Sequence, residues 1–568
     1  MTSVRLVASA ASRRPFAAGI AVALAVSGIP ASVVAAPPAG FEVVVTGASA
    51  DGAARAVTAA GGRVLAALPV AHGVAARLPR TGALGPDWTV VPQREITVAA
   101  AASEATGAAT TVRQMLGLPA AGDEGRGVTV AVVDTGIADV PDLAGRVAQH
   151  VDVTGTGRGD GYGHGTFMAG LIAASGAASG GAYRGVAPRA GLVDVKVADA
   201  QGHTNLIAVL RGLQWVSDHR KEVQVVNLSL SSGSPLPYQW DPLNQALESL
   251  WQQGVTVVVP SGNDGPGAGS VTSPGNDPML LTAGALDTAG TSARADDVVP
   301  DFSGRGPTWQ GDAKPDLVAP GSHIVSLRAP GSVIDAGNPQ ARVGDGYFRG
   351  SGTSMATAVT SGVVAAALAA QPTLTPDAVK NLLAGNTYGT AGLTGGAGAL
   401  DAPRVLAAAP GWPTGKSQRR YDEDTGALHR DAKRWAALGA AIAAGDPAAA
   451  TREWNALTPP SRDWAARAWA GLDPAARAWA ARAWAARGWP GADDGWVARA
   501  WAARAWAARS WADTDWAARA RAWADADWAA RARAWADADW ADPDWAARAR
   551  AWADADWAAR SWAWLPPS

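Results

Sequence analysis

Gly350-Ser351-Gly352-Thr353-Ser354-Met355-Ala356 is a glycine-flexed loop that runs straight into a helical stretch of small residues, 353–370. The glycines let the backbone turn sharply. Ser354 falls in the first helical turn, where unpaired N–H groups and the positive end of the helix dipole face outward. A serine so placed can attack a carbonyl while its own N–H helps to hold the oxyanion. A plain helix cap is the commoner use of Ser or Thr there, so the assignment turns on what lies upstream.

Upstream, Val128-Thr129-Val130-Ala131-Val132-Val133 is a continuous apolar, β-branched run of the kind that forms a strand buried on both faces. Similar runs occupy 191–197, 223–230, 255–259 and 279–286, with helical stretches at 164–174, 204–220 and 239–253. This alternation predicts an α/β fold with a mostly parallel, doubly wound sheet and right-handed crossovers. Working residues of such sheets gather beyond the carboxyl ends of the strands.

Three further residues stand at such positions. Asp134 ends the first run, where a carboxylate can hold an imidazole by its ring N–H; Asp-Thr-Gly alone is also a turn signal. His164, in Gly163-His164-Gly165-Thr166, opens a helix between two glycines, a setting the other six histidines lack. Asn263, in Pro260-Ser261-Gly262-Asn263-Asp264-Gly265, follows the 255–259 strand and can aim an amide donor at a developing oxyanion, or serve as a turn residue. Asp152 and Asp160 read as solvated loop carboxylates.

In their order Asp, His, Ser, and with the blocks around them, residues 111–409 resemble the catalytic domain of the subtilases, the subtilisin-like serine peptidases. Gly185-Val186-Ala187-Pro188-Arg189-Ala190 leading into Val195-Lys196-Val197, Phe302-Ser303-Gly304-Arg305-Gly306-Pro307 and Lys314-Pro315-Asp316-Leu317-Val318-Ala319-Pro320-Gly321 are similar to family blocks, and Gly352-Thr353-Ser354-Met355-Ala356 is the most specific of them. The resemblance implies a serine endopeptidase working through an acyl-enzyme. Ser354 would be the nucleophile, His164 the general base and acid, and Asp134 the group that fixes the imidazole. It implies that Asn263 and the Ser354 N–H form the oxyanion hole, and that Leu228-Ser229-Leu230-Ser231 pairs with substrate as an added β-strand. Phe167, Ser231, Ala358 and Val359 depart from common family residues, and none of them is a reacting group. Family members often bind calcium, but no ligand loop here supplies a site, so no metal or other cofactor is assigned.

The remaining segments surround that domain. Residues 1–36 carry Arg5, Arg13 and Arg14 ahead of an apolar run and end in small residues, which reads as an export signal; an ordinary signal and a twin-arginine signal both fit. Residues 40–98 alternate strand and helix patterns, with strand expected within 41–45, 63–68, 74–78 and 89–98, and resemble the family's propeptide. That resemblance implies a self-processed precursor with its own propeptide as a partner. Residues 99–110 form an alanine-rich linker in which processing would fall.

The tail, 411–568, becomes a low-complexity Trp/Ala/Arg/Asp sequence over 464–564, its tryptophans at steps of mostly five or seven. Steps of five turn a helix about 140°, so no single aromatic stripe forms. The tail reads either as a segment without defined function, the favoured reading, or as an anchor to cell wall or polymer through stacking tryptophans. Lys+Arg 48 against Asp+Glu 50 leaves a formal charge of −2, with no electrostatic case for nucleic acid, and the absence of cysteine excludes disulfides and a thiol nucleophile. The sequence therefore predicts a secreted monomer acting on protein or peptide substrates outside the cytoplasm.

Overall fold

The computed structural model describes residues 40–415, apart from 81–82, 86–87, 99–109, 235, 237, 309–311 and 394–395, and scattered positions between 431 and 462. The export-signal, linker and 464–564 readings lie outside the described residues.

The N-terminal unit contains β1 (Phe41–Thr46), α1 (Ala50–Ala59), β2 (Arg63–Leu68), β3 (Gly73–Leu78) and β4 (Thr89–Pro92) in an antiparallel sheet of order β2-β3-β1-β4. Alternation sorts its apolar side chains. Val43, Val45, Val74 and Ala76 pack with Ala53 and Val57 of α1, whereas Val44, Leu68, Ala75 and Val91 point the other way and join the core of the following domain. Valine on both faces of β1 thus gives the unit two partners, its own helix and the rest of the chain.

The stretch 89–98 is not one strand. It divides at Gln93-Arg94, and β5 (Glu95–Val98) leaves the small sheet to pair elsewhere. Gln93 and Arg94 spend their polar groups on the larger domain: Ile207 N–H donates to Gln93 Oε1 at 3.1 Å and Leu206 N–H to Arg94 O at 3.0 Å.

In the larger domain, α2 (Val112–Met115), β6 (Thr129–Asp134), β7 (Val147–Asp152), α3 (His164–Ala173), β8 (Gly191–Lys196), β9 (His203–Asn205), α4 (Leu206–Asp218), β10 (Val225–Leu228), β11 (Leu230–Ser231), α5 (Pro242–Gln252), β12 (Thr256–Pro260) and β13 (Leu281–Leu286) follow in chain order. After them come β14 (Leu317–Pro320), β15 (Ile324–Leu327), α6 (Val333–Gly337), β16 (Arg342–Val343), β17 (Tyr347–Gly350), α7 (Thr353–Ala370), α8 (Pro376–Ala384), β18 (Thr387–Tyr388), β19 (Ala399–Leu400) and α9 (Ala402–Ala408). Beyond it, α10 (Pro447–Ala456) lies within the tail.

Nine strands form one sheet, order β18-β19-β14-β13-β12-β10-β6-β8-β7, parallel throughout except for the β18–β19 pair. This is the α/β, mostly parallel doubly wound sheet that the alternation predicts. Its middle strands are buried along nearly their whole length, because α3 and α7 pack together over one face while α4 and α5 cover the other. The helix α7 starts and ends where the sequence places it and is the buried centre of the domain. The chain reverses its direction of winding at β6, so the carboxyl end of β6 opens onto the crevice where such sheets bind ligands.

The Lys314-Pro315-Asp316 block ties β13 to β14. Lys314 Nζ, buried, donates to Leu280 O at 2.7 Å, Thr282 Oγ1 at 2.9 Å and Asp316 Oδ2 at 2.7 Å, while Lys380 approaches the other carboxylate oxygen at 3.0 Å. Burial pulls the Lys314 amine down to about 8 from its ordinary 10.5. Replacing Lys314 with Met leaves the Asp316 carboxylate, 11% exposed, with one cation and is expected to cost up to about 3 kcal/mol in denaturant unfolding. Between about pH 8 and 10.5 the unfolded lysine holds a proton that the folded one has released. The group's contribution therefore rises with pH over that window and is flat below it, and the deficit of Lys314→Met is expected to widen from pH 8 to 10.

Candidate active site

Asp134 stands at the carboxyl end of β6 and His164 is the first residue of α3. Their junction is a backbone-to-backbone contact. Gly163 has φ +108°, and a Cβ on Gly165 would lie 2.2 Å from Gly136 O, so the His-Gly pair lets the helix start directly against the strand-end loop. His164 Nδ1 then lies 2.8 and 2.9 Å from the two oxygens of Asp134, both side chains being buried. Thr135 N–H also donates to Asp134 Oδ1 at 2.8 Å, leaving the carboxylate to act as acceptor toward the ring N–H.

The residue that holds this junction is Asp160, which the sequence reading placed among solvated loop carboxylates. It is 8% exposed, and its two oxygens accept from Thr135 Oγ1 at 2.8 Å, Gly163 N–H at 2.6 Å, Thr166 N–H at 2.8 Å and Thr166 Oγ1 at 2.7 Å. Thr135 belongs to the Asp134 loop, while Gly163 and Thr166 flank His164, so one carboxylate clasps both. Burial pushes its pKa up, opposed by those four donors. A signal for it existed in the sequence: a lone Asp four residues before a helix-opening His, in a glycine-rich turn needing acceptors for its N–H groups. Asp152, by contrast, is the exposed acceptor of its own turn, bonded to Thr154, Gly155 and Gly157.

Ser354 occupies the first turn of α7 and is fully buried. Its Oγ donates to Ser229 O at 3.3 Å. It makes no hydrogen bond to His164, whose Nε2 is buried without a partner among the described residues. The structure therefore joins Asp134 to His164 and does not join His164 to Ser354. Asn263, after β12, has its amide oxygen fixed by Thr353 N–H and Thr353 Oγ1, both at 3.0 Å, which leaves its NH2 as the donor end beside the Ser354 turn.

The four residues assigned to substrate pairing divide. Leu228 is inside the nine-stranded sheet opposite Val133, and Ser229 contacts Ser354. Leu230 and Ser231 form β11, which pairs antiparallel with β5, Leu230 opposite Val98 and Ser231 opposite Thr97. On its other edge β5 pairs with β9, so it is the middle strand of three. The N-terminal unit thus lays its last strand along the edge assigned to substrate, with Ile96 buried at 2% exposure.

Beside the imidazole opens a cleft of about 230 Å³, lined by Tyr162, His164, Phe167, Phe348, Arg349 and Met355 among others. The α6 segment walls it and is pinned by Asp335, which receives Arg328 through Nε and Nη2 at 2.6 and 2.8 Å and Arg342 Nε at 2.7 Å. The Arg328 hydrogen bond leads in holding the Asp335 carboxyl far below its usual range. Sequence reading missed this wall, which has no periodic pattern. Among the described residues no group of three or more His, Asp or Glu side chains is placed to hold a metal ion.

Comparison with known proteins agrees with the geometry. A model of the subtilase family matches residues 125–405. Serine protease AprX of Bacillus subtilis (strain 168) is 45% identical over 273 residues, 46% of this chain and 62% of that protein. Subtilisin Savinase of Lederbergia lenta is 36% identical over 259 residues, 46% of this chain and 82% of that protein. M-protease of Shouchella clausii (strain KSM-K16) is 36% identical over 265 residues, and the match again spans only 60% of that relative's length. Fervidolysin from Fervidobacterium pennivorans, a keratinolytic enzyme related to subtilisin, shares the fold with a TM-score of 0.52 at 22% identity, over 66% of this chain and 62% of its own. The chain belongs to the subtilase family.

Proposed function

We propose that the chain is a secreted serine endopeptidase, made as a precursor whose residues 40–98 fill its own substrate groove until they are cut away. One observation carries the reading: a buried imidazole bonded to a carboxylate through Nδ1 and unpartnered at Nε2, on a helix packed against the one that bears Ser354. That is the arrangement a general base needs, with its tautomer fixed on one side and its lone pair kept for a hydroxyl on the other.

Substrate, running antiparallel to β11 as β5 does, brings a carbonyl to Ser354. The Ser354 Oγ turns from Ser229 O to His164 Nε2, gives up its proton and attacks. The tetrahedral oxyanion takes the Ser354 N–H and the Asn263 amide as donors. His164 then hands its proton to the departing amine, whose side of the peptide has the cleft beside Phe167 and Met355 to occupy. Asp134 stabilises the imidazolium throughout. Water repeats the sequence on the acyl-enzyme.

Support for the precursor reading is the placement of β5 between β11 and β9, ahead of the 99–110 linker in which processing is expected. Residues 1–36 would direct export. The tail 411–568 keeps the two readings that its composition allows, and calcium remains without an assigned site.

Ser354→Ala is expected to abolish peptide hydrolysis and leave the purified chain at its precursor mass, whereas the wild type sheds its N-terminal unit; processing of the variant would contradict self-cleavage. Asn263→Ala is expected to lower kcat about 10²–10³-fold with KM little changed, the loss known for the equivalent donor of subtilisin. Asp160→Asn puts an NH2 either against the Thr135 and Gly163 donors or against the two Thr166 donors, so kcat is expected to fall about 10²-fold through a misplaced imidazole while KM holds. An unchanged kcat would show that Asp160 does not position His164.

A further inference from the structure

Arg94 immediately precedes β5, and its guanidinium enters an acceptor site built by the larger domain alone. Nη2 lies 2.7 and 2.9 Å from the two oxygens of Asp241, and Nε donates to Ser232 Oγ at 3.0 Å. The Asp241 side chain is 0% exposed. It caps α5 by accepting from Leu243 N–H at 3.0 Å and receives Ser273 Oγ at 3.1 Å, while Ser232 is bridged to Ser273. The carboxylate is therefore oriented by its own domain, and losing the guanidinium would leave a buried anion short of its cation. Other anchors of the N-terminal unit, Val70 N–H on Gln214 Oε1, Ile207 N–H on Gln93 Oε1 and Leu206 N–H on Arg94 O, join neutral groups, whereas Arg94 and Asp241 are a charged pair.

The site is in register with the groove. Arg94 lies two residues before Ile96, the buried side chain of β5, and three before Thr97, which sits opposite Ser231. Resting on the proposed function, we infer that Asp241 and Ser232 form an arginine-reading subsite of the processed enzyme. Extended protein substrates that carry arginine two residues before the aliphatic side chain seated at the Ile96 position would be preferred. Two different guanidinium nitrogens are used, one on the carboxylate and one on the serine, a span that a lysine ammonium does not make. The same contact in the precursor sets the N-terminal unit's strand in register, so the chain's own leader is the first sequence the subsite reads.

The test uses processed wild-type protein and a peptide matching residues 90–105 of this chain, made with arginine, citrulline or lysine at the Arg94 position. Citrulline keeps the shape and removes the charge. It is expected to lower kcat/KM for cleavage beyond Val98 about ten- to a hundredfold, the worth of a hydrogen bond to a charged group, with lysine in between. In Asp241→Asn, which still caps α5, the arginine and citrulline peptides are expected to be cleaved at similar rates. Equal kcat/KM for the two peptides with the wild type overturns the subsite, and so does an arginine preference that survives in Asp241→Asn. Cleavage of none of the three peptides contradicts the peptidase reading itself.

Discussion

The rest of the structure depends on how closely the start of one helix can approach the end of one strand. Between α3 and β6 there is no room for a side chain: glycine at 165 permits the approach, and Asp160 satisfies the N–H and hydroxyl donors that the approach would otherwise strand. The distance between Asp134 and His164 is therefore fixed by backbone contact and not by side-chain choice. A hydrogen bond of 2.8 Å between two buried groups persists because both of its ends are immobilised. Everything chemical in the site is arranged around an imidazole that cannot wander.

A second constraint is electrostatic thrift in the interior. Four buried charges each have a dedicated answer. Lys314 has Asp316 and two neutral acceptors, Asp335 has two guanidinium groups, Asp160 has four donors, and Asp241 has a cap, a serine and Arg94. The last is the exception in kind, because its cation comes from the unit that the precursor reading removes. When that segment leaves, the Asp241 carboxylate loses its guanidinium and keeps only the cap and the serine of its own domain.

How far the sequence could be read follows from where its signals lie. Strands buried on both faces announce themselves as unbroken apolar runs, so β6, β8 and β12 were legible within a residue or so of their ends, and the glycine loop before a run of small residues marked α7. The edge strand β7, Val147-Ala148-Gln149-His150-Val151-Asp152, has no such run and escaped. The division of 89–98 into β4 and β5 was hidden because both halves are strand-like, and the break is set by partners on α4 and α5, more than a hundred residues away. Residue types and spacing picked out Asp134, His164, Ser354 and Asn263 as a set. They could not give the rotamer of Ser354, which faces Ser229, nor the burial of Asp160, which depends on two loops folding onto it. The Arg328–Asp335–Arg342 wall is likewise a tertiary fact with no local pattern.

In the proposed chemistry the hydroxyl of residue 354 is the group that the held imidazole activates. The most direct measurement is to treat the processed protein with a fluorophosphonate and locate the adduct by peptide mass spectrometry. A single stoichiometric adduct on Ser354, formed by the wild type and lost when His164 is replaced by Ala, is the predicted result. An adduct on another residue, or labelling of Ser354 at an unchanged rate without His164, would contradict it.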